Sequence, residues 1–179
     1  MSRLAHGALC ALVLSLSIPT TASAAYGDAT GAIGPIGEAA HSTLFPIDGP
    51  HDLGRNEANG FGGGRGHMGQ DMFAECGTPV RAAQGGRVVF SGYEGAAGNY
   101  LVIRESESGD DAVYMHLLHA SRLEVGDRVE TGRRIASVGR TGDADGCHLH
   151  FELWTKPGWY AGGKAYDPLP KLRQWDRWS

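Results

Sequence analysis

The chain has 179 residues, the length of one ordinary domain. Its apolar fraction of 41% excludes wholesale disorder, and its formal net charge of −4 excludes the basic footprint of a nucleic-acid-binding protein. The 28 glycines are roughly twice the average usage and lack the period of collagen, so the composition predicts one turn-rich, β-rich domain.

The N-terminus has the features of a secretory signal peptide. Arg3 precedes a mostly apolar run, and this run leads to residues 22–24, Ala-Ser-Ala, a signature for cleavage after Ala24. The run is too short and too interrupted by polar residues to span a bilayer. We therefore expect residues 1–24 to be removed and the mature protein to be secreted or to act in the cell envelope.

Residues 25–45 are small and polar, and their glycines indicate a linker or arm ahead of a domain at 46–179. That domain consists of short apolar runs separated by glycine. In residues 112–117, strict alternation puts Tyr114 and His116 on one face and Met115 and Leu117 on the other. The spacing of the runs predicts an all-β, mainly antiparallel, sandwich-like or barrel-like domain. The strand candidates are Arg87–Phe90, Tyr100–Ile103, Ala112–Leu117, Arg128–Glu130, Ile135–Val138 and His148–Trp154.

The last strand candidate carries two histidines in alternate positions. His148 and His150 therefore point to one face, with Cα atoms about 6.5–7 Å apart, while the apolar residues between them face the core. Glu152 shares the histidine face and is a candidate hydrogen-bond partner for one ring. Such a polar face is either simply solvated or binds a metal.

A second polar group lies in the glycine-rich segment around residue 66. His67 and Asp71 offer imidazole nitrogen and carboxylate oxygen, which zinc prefers, and the glycines let the backbone bend around both. Together with one histidine of the 148/150 pair they make three ligands, the number typical of a catalytic zinc site. The remaining histidine and His116 are then available for acid–base chemistry. The sequence has no H-E-x-x-H motif, which excludes a zincin.

Removal of the signal peptide also removes Cys10 and leaves the pair Cys76 and Cys147. Outside the cytoplasm this pair favours a disulfide, which would close a loop of about 70 residues and contribute roughly 4 kcal/mol in the chain-entropy description. The alternative is that Cys147, next to His148, is a zinc thiolate.

These segments resemble the lysostaphin-like (LytM-type) zinc metalloendopeptidases, which cut peptidoglycan peptides. The similarity covers roughly residues 60–170, and its motifs occur in the family's order and spacing. The matching segments are Gly66–Asp71, Gly77–Ala83, Gly86–Val88, Gly98–Ile103, Tyr114–Leu117, Val125–Gly132, Gly139–Gly142 and Gly146–Glu152.

The resemblance implies Zn²⁺ as cofactor, with His67, Asp71 and His150 as ligands and His116 and His148 as catalytic histidines. It also implies an antiparallel β domain whose loops wall a narrow groove over the metal. We expect residues 91–99 and 140–146 to line this groove.

The function that follows is that of an exported zinc metalloendopeptidase hydrolysing peptide bonds in peptidoglycan, in cross-bridges or stem peptides. We expect a monomer with no nucleic-acid partner and no membrane span after signal cleavage. Three alternatives use the same residues: a non-enzymatic activator of another cell-wall hydrolase, a secreted protease acting on proteins, and a metal-buffering module. The presence of all five His and Asp positions disfavours the activator.

Two positions depart from the family pattern. Arg104 stands where many relatives carry His or Asp, and residues 105–111 form an acidic loop. Neither position coincides with an expected ligand or catalytic residue, so these departures bear on substrate preference. His119 has no family counterpart and is expected at the surface.

Overall fold

The computed structural model describes residues 42–54, 56–64 and 66–178, with side chains up to Arg177. The expected signal peptide, Cys10 and residues 25–41 of the expected arm lie outside this part of the chain. Phe45 and Ile47 are buried in the hydrophobic core, so the packed domain includes the last residue assigned to the arm.

Short β-strands dominate the described residues, and one short helix follows them. The helix, α1, spans Leu169–Trp175 and continues into a 3-10 turn at Asp176–Trp178. The strands are β1 (Gln70–Phe73), β2 (Pro79–Arg81), β3 (Gly86–Glu94), β4 (Gly98–Glu105), β5 (Asp111–Leu117), β6 (Arg128–Val129), β7 (Arg134–Ser137), β8 (His148–Trp154) and β9 (Ala165–Tyr166).

All pairings between these strands are antiparallel, which confirms the predicted fold class. The main sheet has the order β1-β8-β5-β4-β3-β6, and β9 pairs with β8. β2 and β7 form a small second sheet. All six strand candidates are present. The sequence analysis did not predict β1, β2 and β9, because runs of two to four residues are too short to show alternation.

β8 lies between β1 and β5, and both of its faces are buried. Leu149, Phe151 and Leu153 are fully buried in the main core, as predicted. His148 and His150, on the opposite face, are 8% and 7% exposed, because neighbouring strands and loops enclose them. One strand therefore supplies core residues and polar residues in strict alternation.

A β-bulge near the end of β5 breaks the alternation predicted for residues 112–117. Leu101 pairs with Tyr114 and Asn99 pairs with Leu117, so Met115 and His116 together lie opposite one residue of β4. Leu117 consequently packs with Tyr114 in the main core. The predicted alternation was wrong from His116 onward, because the extra residue turns the His116 side chain to the face of Met115.

A disulfide joins Cys76 to Cys147 with a Cα–Cα distance of 5.2 Å. Both sulfur atoms are in this bond, so Cys147 does not provide a thiolate ligand. The bridge connects the segment after β1 to the residue before β8. It therefore links two strands that lie side by side in the sheet.

The C-terminal tryptophans whose side chains are described, Trp159 and Trp175, are buried against the sheet. Trp159 is 5% exposed and Trp175 is 3% exposed. Within the described residues, no helix is long and apolar enough to span a lipid bilayer.

Candidate active site

A cavity of about 690 Å³ lies over the polar face of β8. Its lining includes all five residues that the sequence singled out: His67, Asp71, His116, His148 and His150. Both loops expected to line a groove contribute to its walls, through Glu94, Ala96 and Ala97 and through Asp143, Asp145 and Gly146. By contrast, His119 is exposed and lies outside this lining, as expected.

Strand register places two of these residues side by side. Asp71 of β1 pairs directly with His150 of β8. His67 reaches them from the preceding loop, where Gly69 allows a close approach to β8. A Cβ atom on Gly69 would lie 2.8 Å from Nε2 of His150 and 2.5 Å from the Phe151 carbonyl oxygen. Glycine is therefore required between the His67 loop and β1.

Three donor atoms converge at this point. Nε2 of His67 lies 3.2 Å from Oδ1 of Asp71 and 3.0 Å from Nδ1 of His150. Nδ1 of His150 lies 2.9 Å from the same Asp71 oxygen. Ligand atoms about 2.0–2.1 Å from a tetrahedral zinc ion lie roughly 3.3 Å from one another. The three side chains therefore fit one zinc ion with little rearrangement.

Hydrogen bonds on the far side of each ring fix the orientation of these histidines. His67 Nδ1 donates to the Gly60 carbonyl at 2.9 Å, and His150 Nε2 donates to Oε1 of Glu152 at 2.9 Å. The other Glu152 oxygen accepts a hydrogen bond from Trp154 Nε1 at 2.6 Å. The remaining nitrogen of each ring, Nε2 of His67 and Nδ1 of His150, points toward Asp71. This is the carboxylate–histidine arrangement that orients metal ligands.

The carboxylates set the charge of this cluster. Burial alone would raise the pKa of Asp71, but hydrogen bonds from His150 and His67 hold it well below its usual range. Burial alone would lower the pKa of His150, but its hydrogen bonds to Asp71 and Glu152 raise it to about 9. In the metal-free protein a proton is thus stabilised at the convergence of the donors. A divalent cation competes for this position, so its binding releases a proton.

The other two histidines form a pair beside this cluster. The rings of His116 and His148 have centroids 4.6 Å apart. His116 Nδ1 donates to the Thr141 carbonyl and His148 Nδ1 to the Gly146 carbonyl, each at 2.9 Å. Each ring therefore keeps one nitrogen, Nε2, as an acceptor. His148 Nε2 lies 3.7 Å from Oδ1 of Asp71, which places the pair next to the three donor atoms.

Burial and strain distinguish His116 from the other histidines. Burial lowers its pKa to about 4, with a further contribution from the charge of His148, so the ring stays neutral at neutral pH. Its φ of 61° lies in the left-handed region, which is unusual for a residue other than glycine. Such strain is concentrated at functional sites.

An aromatic wall of the cavity was missed by the sequence analysis. Trp154, Trp159 and Tyr160 line the cavity on the side of the segment that follows β8. Trp159 packs against the smaller hydrophobic cluster and also faces the cavity. The exposed Tyr160 could not be placed without the loop conformation.

Comparisons with known proteins agree with this geometry. Residues 65–168 match the profile of Peptidase family M23. The chain is 36% identical over 126 residues to the glycyl-glycine endopeptidase ALE-1 of Staphylococcus capitis, an alignment that covers 70% of this chain and 32% of that protein. The chain thus spans about a third of the length of this relative.

Two solved structures share the fold. Lysostaphin from Staphylococcus simulans superposes with a TM-score of 0.61 at 29% identity, over 76% of this chain and 55% of lysostaphin. A zinc-containing peptidase from Vibrio cholerae superposes with a TM-score of 0.58 at 28% identity, over 71% of this chain and 39% of that one.

M23 peptidases are zinc metallopeptidases, and the three converging donor atoms fit this metal, which confirms zinc as the expected cofactor. The matched segment contains all five site residues. The similarity to lysostaphin, in sequence motifs and in fold, confirms the resemblance stated from the motifs. The chain belongs to peptidase family M23.

Proposed function

We propose that this protein is an exported zinc metalloendopeptidase that hydrolyses peptide bonds in peptidoglycan. The observation that carries the proposal is the convergence of His67, Asp71 and His150 beside two anchored histidines in one open cavity. Three protein ligands leave a coordination position open, as in catalytic zinc sites, whereas structural sites use four.

His67, Asp71 and His150 are the proposed ligands. One carboxylate and two neutral imidazoles leave the bound metal with a formal charge of about +1. When bound, zinc supplies Lewis-acid chemistry: it polarises a carbonyl group and makes water more acidic. Glu152 keeps the His150 ring in the orientation and tautomer that coordination requires.

His116 and His148 are the proposed proton-transfer residues. Both rings donate through Nδ1 to backbone carbonyls, so Nε2 is free to accept a proton from the attacking water. The same nitrogen can afterwards deliver the proton to the leaving amine, or donate to the oxyanion. Because His116 is neutral at neutral pH, it can accept a proton without first losing one. We assign the two roles to the pair jointly.

Peptidoglycan is the proposed substrate because the relative ALE-1 is a glycyl-glycine endopeptidase and all five site residues line one cavity. The five site residues are compatible with glycine cross-bridges, with cross-links to a diamino acid and with stem-peptide bonds. The loops at 91–99 and 140–146 and the aromatic wall are the parts that would select among them. Export, inferred from residues 1–24, would place the enzyme with this substrate.

The second candidate function is a non-enzymatic activator of another cell-wall hydrolase. An activator has no need for three ligands, for a carboxylate behind the His150 ring or for two further anchored histidines. The site retains all of these, which favours the enzyme.

The experiment is mass spectrometry of the peptides that the purified protein releases from intact peptidoglycan sacculi, with a chelator-treated control. We expect new peptide termini that vanish with chelator and return with zinc, and the termini identify the bond. Zinc-bound protein that releases nothing from several wall types would contradict the proposal.

A further inference from the structure

Arg104, the position that departs from the family pattern, lies on β4 away from the metal ligands. Its guanidinium forms a two-pronged ion pair with Asp111 of β5, with Nε 2.8 Å from Oδ1 and Nη2 3.0 Å from Oδ2. The Asp111 side chain is completely buried, whereas that of Arg104 is 41% exposed. A buried carboxylate held this way is well defined in position, since two parallel hydrogen bonds fix its plane.

The ion pair also binds the loop that follows β8. The backbone N–H of Trp159 donates to Oδ2 of Asp111 at 2.8 Å. Arg104 Nη2 donates to the Pro157 carbonyl at 3.0 Å. Gly158, between these two contacts, has a φ of +107°, and a Cβ atom there would collide with both the carboxylate and the guanidinium. Residues 157–159 therefore lie directly on the ion pair.

This loop carries part of the aromatic wall. Trp159 packs edge-on against Phe90 and Tyr100, with centroid distances of 5.5 and 5.3 Å. The Tyr160 ring contacts Trp159 in a tilted arrangement, with centroids 4.1 Å apart, yet Tyr160 is 76% exposed. Its φ of 55° is in the left-handed region. A strained tyrosine exposed at the edge of a catalytic cavity gains nothing from burial, so a contact with substrate accounts for it better than packing does.

We propose that Trp159 and Tyr160 bind the substrate strand along one side of the cavity, and that Arg104 and Asp111 are positioning residues for this wall. The inference rests on the proposed function and adds to it a specificity-determining surface. It also gives the Arg104 departure a role: a change of residue at this position alters the loop that contacts substrate.

The first test removes the Tyr160 ring and keeps the loop conformation. Tyr160→Asn is suitable because asparagine tolerates the left-handed region. Val125→Asn is the control, since Val125 is 65% exposed and lies outside both the cavity lining and the loops expected to select the substrate. For Tyr160→Asn we expect KM for sacculus cleavage to rise about tenfold with kcat within about twofold, because aromatic contacts of this kind contribute to binding. Val125→Asn should match the parent in both constants.

A binding measurement separates this inference from the proposed function. Co-sedimentation with insoluble sacculi is measured in the His116→Ala background, which removes turnover. Weaker binding of Tyr160→Asn would support a role of the aromatic wall in substrate binding, even if the parent chain releases no peptides. Absence of peptide release would overturn the proposed function alone. Equal binding of Tyr160→Asn and its parent, or no binding by either, would overturn the inference that the aromatic wall binds the substrate.

The role of Arg104 is tested by a double-mutant cycle. Arg104→Lys keeps the charge but loses the fork that reaches both Asp111 and the Pro157 carbonyl. We expect KM to rise while zinc content and kcat stay unchanged, and the tryptophan fluorescence to shift because Trp159 moves. The double variant Arg104→Lys/Tyr160→Asn should raise KM by less than the product of the factors measured for the two single variants, because both substitutions act through the same aromatic wall. An unchanged KM for Arg104→Lys, or increases that multiply fully, would overturn the positioning role.

Discussion

Two groups of histidines in one cavity differ in their carboxylate partners. His67 and His150 each lie within hydrogen-bond distance of Asp71, and His150 also contacts Glu152. His116 and His148 are held instead by backbone carbonyls. The pKa of His150 is raised to about 9 and that of His116 is lowered to about 4. The placement of two carboxylates therefore separates residues suited to hold a cation from residues suited to move a proton.

The largest expected effect comes from removing the carboxylate that the first group shares. Asp71→Ala should abolish zinc binding and peptide release together, because two neutral imidazoles alone hold the ion poorly. Metal analysis after dialysis and the sacculus assay measure the two losses. His119→Ala, which changes an exposed histidine outside the cavity, should behave as the parent chain. Full zinc content in Asp71→Ala would refute the ligand assignment.

A variant of the second group should separate metal binding from turnover. His116→Ala should retain zinc and lose turnover by about 10²-fold or more, because the ring transfers protons and holds no metal. Metal content and kcat are measured on the same preparation. If turnover stays at the parent's rate, the catalytic role of His116 is wrong; if zinc is lost, the division between the two groups is wrong.

A smaller effect is expected from changing Glu152, the carboxylate that orients the His150 ring. Glu152→Gln keeps the shape of the side chain but weakens its hydrogen bond with His150, so zinc affinity should fall by about 10- to 100-fold. Competition with a chromogenic chelator measures this affinity. Glu94→Gln is the matched control, since Glu94 also lines the cavity and its carboxylate accepts a hydrogen bond from the Ala97 N–H rather than from a ligand histidine. Equal zinc affinities in the two variants would contradict the orienting role of Glu152.

The smallest expected effect is on how the free energy of unfolding of the metal-free protein depends on pH. His150 and His116 contribute to this dependence with opposite signs. The folded pKa of His150 lies above the ordinary value of 6.5, so its stabilisation is present below pH 6.5 and is lost as pH rises towards about 9. The folded pKa of His116 lies below 6.5, so between about pH 6.5 and 4 the unfolded chain binds a proton that the folded chain does not. The free energy of unfolding should therefore decrease on both sides of about pH 6.5.

Urea denaturation of chelator-treated protein at a series of pH values measures this profile. His116→Ala should reduce the loss of unfolding free energy below pH 6.5 and leave the loss above pH 6.5 unchanged. Stability that rises steadily from pH 6.5 to 9 would contradict the raised pKa of His150. Saturating zinc should remove the alkaline decrease, because a ligated imidazole carries no proton at the coordinating nitrogen.

Local pattern was sufficient for some parts of the fold and of the candidate site. Alternation in residues 148–154 predicted both the core face of β8 and the shared face of His148 and His150. The pairing of Cys76 with Cys147 followed from their number and from the expected export. Each of these properties depends on residues close together in the chain or on composition.

The tertiary structure decided what depends on distant segments. The register of β1 against β8 brings Asp71 beside His150, although 79 residues separate them. The bulge in β5 turns His116 to the cavity against the simple period of two. The loop after β8 packs on the ion pair of Arg104 and Asp111, which places Trp159 and Tyr160 at the cavity. The sequence by itself determined the residue types and, in β8, which residues share a face. The pairing of strands decided which faces meet and where the period of two is broken, because hydrogen-bond register and bulges are properties of two strands together.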